Sequence, residues 1–394
     1  MSTRVKLYSS KWQPGAPSLV NSAFEADVAN ILRGCLVTGF ALSACTITVA
    51  NGVATINTSS AQHGQMQHGV ALIEGCAAEA MNGEHRVLEV ITGTQYTVAA
   101  PAGVPSGTLT AAGAGIQQRV APAGWAEPFG ANTKIFQSAE LQGPRHFIHC
   151  GAIEYRSDAE YPYGGQMLRA YTSMQSAGDI DAGLANPYNG VNLSIPTSLG
   201  NDWWLLATPS CFYLSTGADG NGMPGPFMVF GEFEAITGDR PGWAGVISQT
   251  IAGFTYNNWV QTGGALHQSN CDLVIAGNPM VGGLGGVTAK LYSTRSRQGG
   301  TTVSGHDSTF AFPQQVGGAL VLSRPGVVMG EYNIQQVGFL PGMYHIPQTI
   351  AGVNWNTPVI IDGAGPLAGR KLLCTFVNWG TQKPALVFDI TGPW

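Results

Sequence analysis

The segment APAGWAEPF at residues 121–129 divides the chain into two parts with different sequence patterns. Its two prolines fix the backbone angle φ and remove two hydrogen-bond donors, and Gly124 permits a turn between them. Trp125 and Phe129 are large apolar side chains that a free linker would expose to water, so we expect this segment to pack against a core. The segment therefore predicts a junction between a small N-terminal domain and a larger C-terminal one.

The composition favours short strands over long helices and argues against a nucleic-acid partner. Charged residues make up 10% of the chain, and Gly contributes 54 of 394 residues, about twice the usual share. Gly and Pro occur throughout and mark many turns. A net charge of −5 provides no basic face that could neutralise phosphates.

One amphipathic helix is predicted over residues 18–36. Its apolar side chains recur every three or four residues and form one stripe, and Gly34 or Gly39 can end it. The stripe consists of Leu19, Val20, Phe24, Val28, Ile31, Leu32 and Cys35. We expect the helix to cover the core of a β domain; the alternative is a helix that docks into a partner subunit.

Residues 46–109 show the alternation of apolar and polar residues that is typical of half-buried strands. The runs are separated by turn signals at Asn51-Gly52, His63-Gly64, Asn82-Gly83 and Thr92-Gly93. His63 and His68 are expected in a polar loop. Residues 1–120 are therefore predicted to form a small β-barrel or sandwich module that carries the one helix.

The chain after the junction at 121–130 remains β-rich, with long irregular loops. This pattern predicts a larger antiparallel β-sandwich domain over residues 131–394, and hence an all-β protein. Candidate strands lie at residues 134–138, 146–153, 203–208, 227–233, 244–247, 273–275, 288–292, 319–321, 372–378 and 385–390.

The seven cysteines are widely spaced, and none forms the close pair that a structural zinc site requires. The first residues lack the apolar segment of a secretion signal, and no apolar run reaches the length of about 18 residues that spans a membrane. We expect free thiols in a protein that is assembled in a reducing cytoplasm.

Three groups of residues could carry chemistry, and for each a purely structural role is favoured. His146 and Cys150 would share one face of a strand and could begin a metal site. Residues 219–222 (DGNG) lack the further oxygen ligands of a calcium loop. Asp179 and Asp181 could act as a pair of glycosidase carboxylates. We expect no catalytic residue, no metal and no cofactor.

Five aromatic side chains are the candidates for contacts with other chains, namely Trp125, Phe129, Trp203, Trp204 and Trp394. Tryptophans can also form a carbohydrate platform, although core packing explains most of those in a chain with so few charges. Trp394 follows a Gly-Pro turn and is expected to be buried, either in its own domain or against a neighbouring subunit.

Several short strings resemble segments of tailed-bacteriophage virion proteins, in which they form turns and packing contacts. They are VTGF (37–40), the His63-Gly64 turn, MNGEHRV (81–87), TQYTV (94–98), APAGWAEPF (121–129), NTKIF (132–136), LPGMY (340–344) and FDITGPW (388–394). The resemblance implies a structural protein of the tail tip or baseplate. It does not extend to residues 150–330.

We therefore expect a non-enzymatic virion subunit that assembles as a symmetric oligomer in the host bacterial cytoplasm. Its expected partners are other tail or baseplate proteins and copies of itself, without nucleic acid or membrane insertion. One alternative is a capsid decoration or minor head protein. Another is a receptor-binding protein that contacts a host glycan or protein through the aromatic loops at 186–226. The last is a glycan depolymerase that uses Asp179 and Asp181.

Overall fold

In a computed structural model of the chain, the described residues are mostly antiparallel β-strands with one short α-helix, so the predicted all-β class is confirmed. The structure describes residues 4–19, 24–139, 147–152, 166–171, 174–179, 187–193, 200–218, 227–232, 234–235, 245–248, 272–276, 287–292, 322, 324, 326–329, 335–346, 358–376 and 385–394.

A closed antiparallel barrel of six strands forms the first β module. Its strands are β2 (Phe40–Ala50), β3 (Val53–Thr58), β4 (Val70–Glu74), β5 (Gly83–Thr92), β6 (Gln95–Ala99) and β8 (Ile116–Val120), and the short β7 (Gly107–Thr108) pairs with β2. The strands follow each other around the barrel as β2, β3, β6, β5, β4 and β8, and β8 returns to pair with β2. Between the two predicted architectures, the barrel is therefore the one that forms.

Two of the predicted Asn-Gly turns of the barrel have different structural roles. Asn51 and Gly52 both have positive φ angles, 52° and 75°, and close the β2–β3 hairpin as predicted. Asn82 instead precedes β5, and its amide bonds both the N–H and the C=O of Cys76 at 2.8 Å. Asn82 thereby fastens the connection from β4 to β5, a role for an Asx side chain that the dipeptide alone does not reveal.

The helix α1 (Phe24–Leu32) continues into one π-helical turn at Arg33–Thr38. Residues 18–19 are not helical, so the helix is shorter at its start than predicted. Gly39 ends it at φ 72°, where a Cβ atom would overlap the carbonyl oxygen of Val120. Of the two glycines considered, Gly39 is the one that ends the helix, and Gly34 lies within the π turn.

The rest of the described chain, here called the body, consists of α1 and four antiparallel sheets. The first is β1 (Lys6–Ser9), β14 (Gly200–Ala207), β15 (Cys211–Ala218) and β16 (Phe227–Gly231). The second is β9 (Trp125–Ala126), β10 (Ile135–Ser138), β11 (Phe147–Ala152), β12 (Gln166–Tyr171) and β13 (Pro187–Leu193). The third is β17 (Glu234–Ala235), β22 (Gln335–Phe339), β21 (Gly326–Met329), β20 (Val287–Tyr292), β19 (Asp272–Ala276) and β18 (Gly245–Ser248). The fourth is β23 (Met343–Ile346), β26 (Ala385–Asp389), β25 (Lys371–Phe376) and β24 (Val359–Asp362).

The first of these sheets is the central layer of the body. Because successive side chains of a strand point to opposite faces, Trp203 and Trp204 of β14 enter two different cores. Trp203 packs on the side of α1 and the second sheet, and Trp204 packs on the side of the fourth sheet, which contributes Phe388.

All but one of the predicted C-terminal strands overlap a strand of the structure, and the exception, 319–321, lies outside the described residues. Strand β1 pairs with β14, and α1 packs in the core that contains Trp125 and Phe136. The helix thus covers a β core within its own chain, although that core is built mainly from residues after 120. The domain division at 121–130 stays a prediction.

Short 3₁₀ turns complete the described secondary structure at Glu79–Met81, Ala177–Asp179 and Gly365–Leu367. In the portion of the chain that the structure describes, no helix has the length and apolar character needed to cross a membrane.

Candidate functional site

The barrel meets the body at Arg86, a buried residue of β5 that is 8% exposed. Its guanidinium Nη1 donates to the carbonyl oxygens of His68 at 2.8 Å and Ile390 at 3.3 Å, and Nη2 donates to that of Val5 at 3.0 Å. One side chain therefore connects the barrel, the first strand region and the C-terminal segment. We call this group of four residues the barrel–body joint.

The charge of Arg86 is kept at neutral pH. Burial lowers its pKa to about 10, while the carboxylates of Asp389 and Glu84 act in the opposite direction. Glu84 also pairs with Lys6 of β1 at 3.0 Å. Because Lys6 belongs to the body and Glu84 to the barrel, this ion pair is a second polar connection between the barrel and the body.

The C-terminal segment is fastened beside the joint. Asp389 Oδ1 accepts hydrogen bonds from the backbone N–H and the hydroxyl of Thr391 at 2.9 and 2.8 Å. Trp394 donates its indole N–H to the Asp389 carbonyl at 2.7 Å, and its ring meets that of Tyr213 edge-on at 5.8 Å between centroids. Gly342 lies directly against the indole. Trp394 is half-buried and makes these contacts within its own chain, and a contact with a neighbouring subunit stays a prediction.

Two of the five aromatic candidates, Trp125 and Trp203, share one core. The indole N–H of Trp125 donates to the Thr208 carbonyl at 2.9 Å, and its ring lies 5.3 Å from that of Phe212. The indole N–H of Trp203 donates to the Pro17 carbonyl at 2.8 Å, and the residue is 2% exposed. Both side chains join segments that are distant in the sequence.

The other three candidates lie elsewhere. Trp204 contacts Phe388 at 5.3 Å between ring centroids, in the same cluster as Trp394. Phe129 is half-buried and stacks on Phe147 at 5.8 Å in a separate small cluster. The five residues therefore do not form one site, and their role in contacts with other chains stays a prediction. Trp203 and Trp204, which belong to the region assigned to receptor contact in the alternative interpretation, are buried within the subunit.

Of the groups considered for chemistry, the structure describes Asp179 and Cys150. Asp179 lies in an exposed turn and accepts hydrogen bonds from Ser176 and Gln175, which lower its pKa and keep it ionised. His146, Asp181 and residues 219–222 lie outside the described residues. Among the residues that the structure does describe, no group of three or more His, Cys, Asp or Glu could hold a metal ion.

A buried polar network inside the barrel was not predicted from the sequence. His63 lies in a loop, as expected, but its side chain is buried and its Nε2 is 2.9 Å from the Thr92 carbonyl. Gln118 Oε1 accepts hydrogen bonds from Gln65 Nε2 at 2.9 Å and from the Tyr96 hydroxyl at 3.2 Å. The sequence gives little indication of this network, because a single Gln in a strand usually faces solvent.

The outside of the barrel carries an apolar row on β5. Leu88, Val90 and Ile91 are 40%, 37% and 47% exposed. The register of β5 against β6 shifts twice along this stretch, between Val87 and Glu89 and between Val90 and Thr92. Such bulges bend a strand and turn its side chains away from the regular alternation, which brings apolar residues to the surface.

The described cysteines are free thiols, and all but the half-buried Cys45 are buried. Burial raises the pKa of Cys45 to about 11 and that of Cys374 to about 12. Since the thiolate is the reactive form, a raised pKa keeps these groups protonated and unreactive until the pH approaches these values.

We expect a Cys271→Ser variant to show no fast-reacting thiol toward Ellman's reagent at pH 8. This substitution removes the one cysteine outside the described residues. The same protein in denaturant should expose the remaining six thiols, which is the internal control for the count. A thiol that reacts rapidly in the native protein at pH 8 would contradict the burial of these side chains.

The chain was compared with family models, curated proteins and solved structures. No family model and no curated protein matches it. Among solved structures, a chain described as phage phi92 endosialidase shows weak similarity, with a TM-score of 0.17 and 9% sequence identity. The alignment covers 89% of this chain and 70% of that chain. Similarity at this level establishes neither a shared fold nor a shared activity.

Proposed function

We propose that the chain is a structural subunit of a tailed-bacteriophage virion, located at the tail tip or baseplate, and that it performs no reaction. In this proposal the protein assembles as a symmetric oligomer. The barrel docks to the tail, and the body extends the structure outward. Its partners are other tail proteins and copies of itself.

The observation that carries the proposal is where the resembling strings lie in the fold. Arg86 of MNGEHRV donates to Ile390 of FDITGPW, across 304 positions of the chain. In LPGMY, Met343 pairs with Phe388, and Gly342 supports the Trp394 indole. Three of the strings that resemble virion proteins thus meet in and beside the barrel–body joint, which holds the barrel in one orientation. A module that docks a subunit into a larger particle needs such a fixed orientation.

The apolar row on β5 is consistent with a barrel that other chains cover. A soluble monomer exposes single large apolar residues, whereas neighbouring ones are typical of contact surfaces. The low content of charged residues, 10% of the chain, also favours a surface that other chains cover.

Localisation in intact particles tests the proposal. Immunogold labelling or cryo-EM density for this chain is expected at the distal end of the tail. Label on the head shell would favour the capsid decoration alternative, and absence from purified particles would contradict a virion role altogether. Incubation of the purified protein with host polysaccharide is expected to release no reducing ends, and their release would contradict the non-enzymatic assignment.

A further inference from the structure

Gln65 has a buried carbonyl oxygen without a hydrogen-bond partner in the described part of the chain. Its orientation is set by the network in the barrel. Gln118 Nε2 donates to Ala41 O at 3.0 Å and to Ser43 Oγ at 2.8 Å, so Gln118 Oε1 must be the acceptor for Gln65 Nε2. The oxygen of Gln65 is therefore the atom that remains unpaired, and the residue is only 2% exposed.

Two buried N–H donors of the body also lack a hydrogen-bond partner among the described residues. Gln13 Oε1 accepts from the backbone N–H of Ser9 at 3.0 Å, which leaves Gln13 Nε2 without a partner among the described residues. The indole N–H of Trp204 likewise has no partner there. Gln13 is 1% exposed and Trp204 is 5% exposed, so bulk water does not satisfy either group.

The three residues belong to segments that meet one another. Ser9, which anchors the Gln13 amide, is the register partner of Trp204 in the central sheet. A Cβ atom on Gly64, the neighbour of Gln65, would lie 3.3 Å from the carbonyl oxygen of Pro14, the neighbour of Gln13. Met66, on the other side of Gln65, packs in the same cluster as Trp204.

We propose that an ordered water molecule is bound between the barrel and the body, where it accepts hydrogen bonds from Gln13 Nε2 and Trp204 Nε1 and donates one to Gln65 Oε1. Buried waters typically make about three hydrogen bonds to groups that the protein does not satisfy itself. The mixture of partners selects water, since two N–H donors disfavour a cation and the carbonyl oxygen disfavours an anion. This inference is independent of the proposed virion role.

A double-mutant cycle with Gln13→Met and Gln65→Met tests the shared water. Each single variant loses its own direct hydrogen bond and also the hydrogen bonds that the water makes. The double variant loses both direct hydrogen bonds, but it loses the water only once. The fall in the denaturant midpoint of the double variant is therefore expected to be smaller than the sum of the two single falls. Additive falls would overturn the proposal.

Gln67→Met provides the matched control, because Gln67 is exposed and donates to the Leu88 carbonyl away from this site. Its effect should add to that of Gln13→Met. A crystal structure of the unsubstituted protein at a resolution that shows ordered water gives a readout that does not depend on any variant. A water peak within hydrogen-bonding distance of Gln65 Oε1 and Gln13 Nε2 is expected. A direct protein donor at Gln65 Oε1, or no peak, would overturn the proposal.

Discussion

Arg86→Met is expected to lower the free energy of unfolding by about 3 to 5 kcal/mol, the range for breaking a buried charged contact. Methionine fills a similar volume but leaves the carbonyl oxygens of Val5, His68 and Ile390 without this donor, away from water. It also removes one favourable cation near Glu84 and Asp389, which keep their ion pairs with Lys6 and Arg370. Chemical denaturation followed by tryptophan fluorescence would measure the loss.

Two further variants separate the role of Arg86 from a general effect of losing an arginine. Arg119 lies on β8 of the same barrel and pairs with Glu74 at 2.8 Å, but the two side chains are 29% and 50% exposed. Arg119→Met is therefore expected to cost less than about 1 kcal/mol. Arg86→Lys retains the charge but not the planar fork and should fall between the two. If Arg86→Met and Arg119→Met cost the same, Arg86 does not hold the joint.

Gly342→Ala is expected to destabilise the protein by about 3 kcal/mol, from backbone strain and from displacement of the terminal indole. Gly342 has a φ of 61°, in the left-handed region that disfavours a side chain. Its Cβ atom would overlap Nε1 and Cε2 of Trp394. The indole must then leave Tyr213 and lose its hydrogen bond to the Asp389 carbonyl. Thermal unfolding monitored by near-ultraviolet circular dichroism would report both effects.

Gly365→Ala is the control for the strain alone. Gly365 has a nearly identical φ of 57°, and a Cβ atom there would meet nothing within 4 Å. This variant should cost about 1 to 2 kcal/mol. In a Trp394→Ala background the overlap at Gly342 is absent, so Gly342→Ala should then cost no more than Gly365→Ala. An equal cost of the two glycine variants in the unsubstituted protein would show that Trp394 does not rest on Gly342.

The candidate site could be predicted from the sequence only in part. The aromatic residues stand out as large apolar side chains in a chain with few charges, and Trp125, Trp203 and Trp204 are indeed buried. The sequence does not show that Trp203 and Trp204 serve different cores, since that depends on which layers cover each face of β14. Arg86 was not singled out, because an arginine within an alternating strand usually faces solvent.

The sequence alone determined the features that depend on near neighbours in the chain. Asn51-Gly52 specifies a hairpin because both residues accept positive φ angles. Alternation of apolar residues identifies strands because side chains point to opposite faces with a period of two. The all-β class follows from these local preferences.

Only the tertiary structure decided the barrel–body joint and the place of Trp394. The contacts of Arg86 join residues 81 and 304 positions apart, and Tyr213, from the middle of the chain, meets Trp394. Such contacts depend on the register of strands and the stacking of sheets, and no local preference encodes them. The pairing of β8 with β2, which closes the barrel, is another contact between strands that are distant in the sequence. Local geometry is set by each residue and its neighbours, whereas these contacts exist only once distant strands have paired.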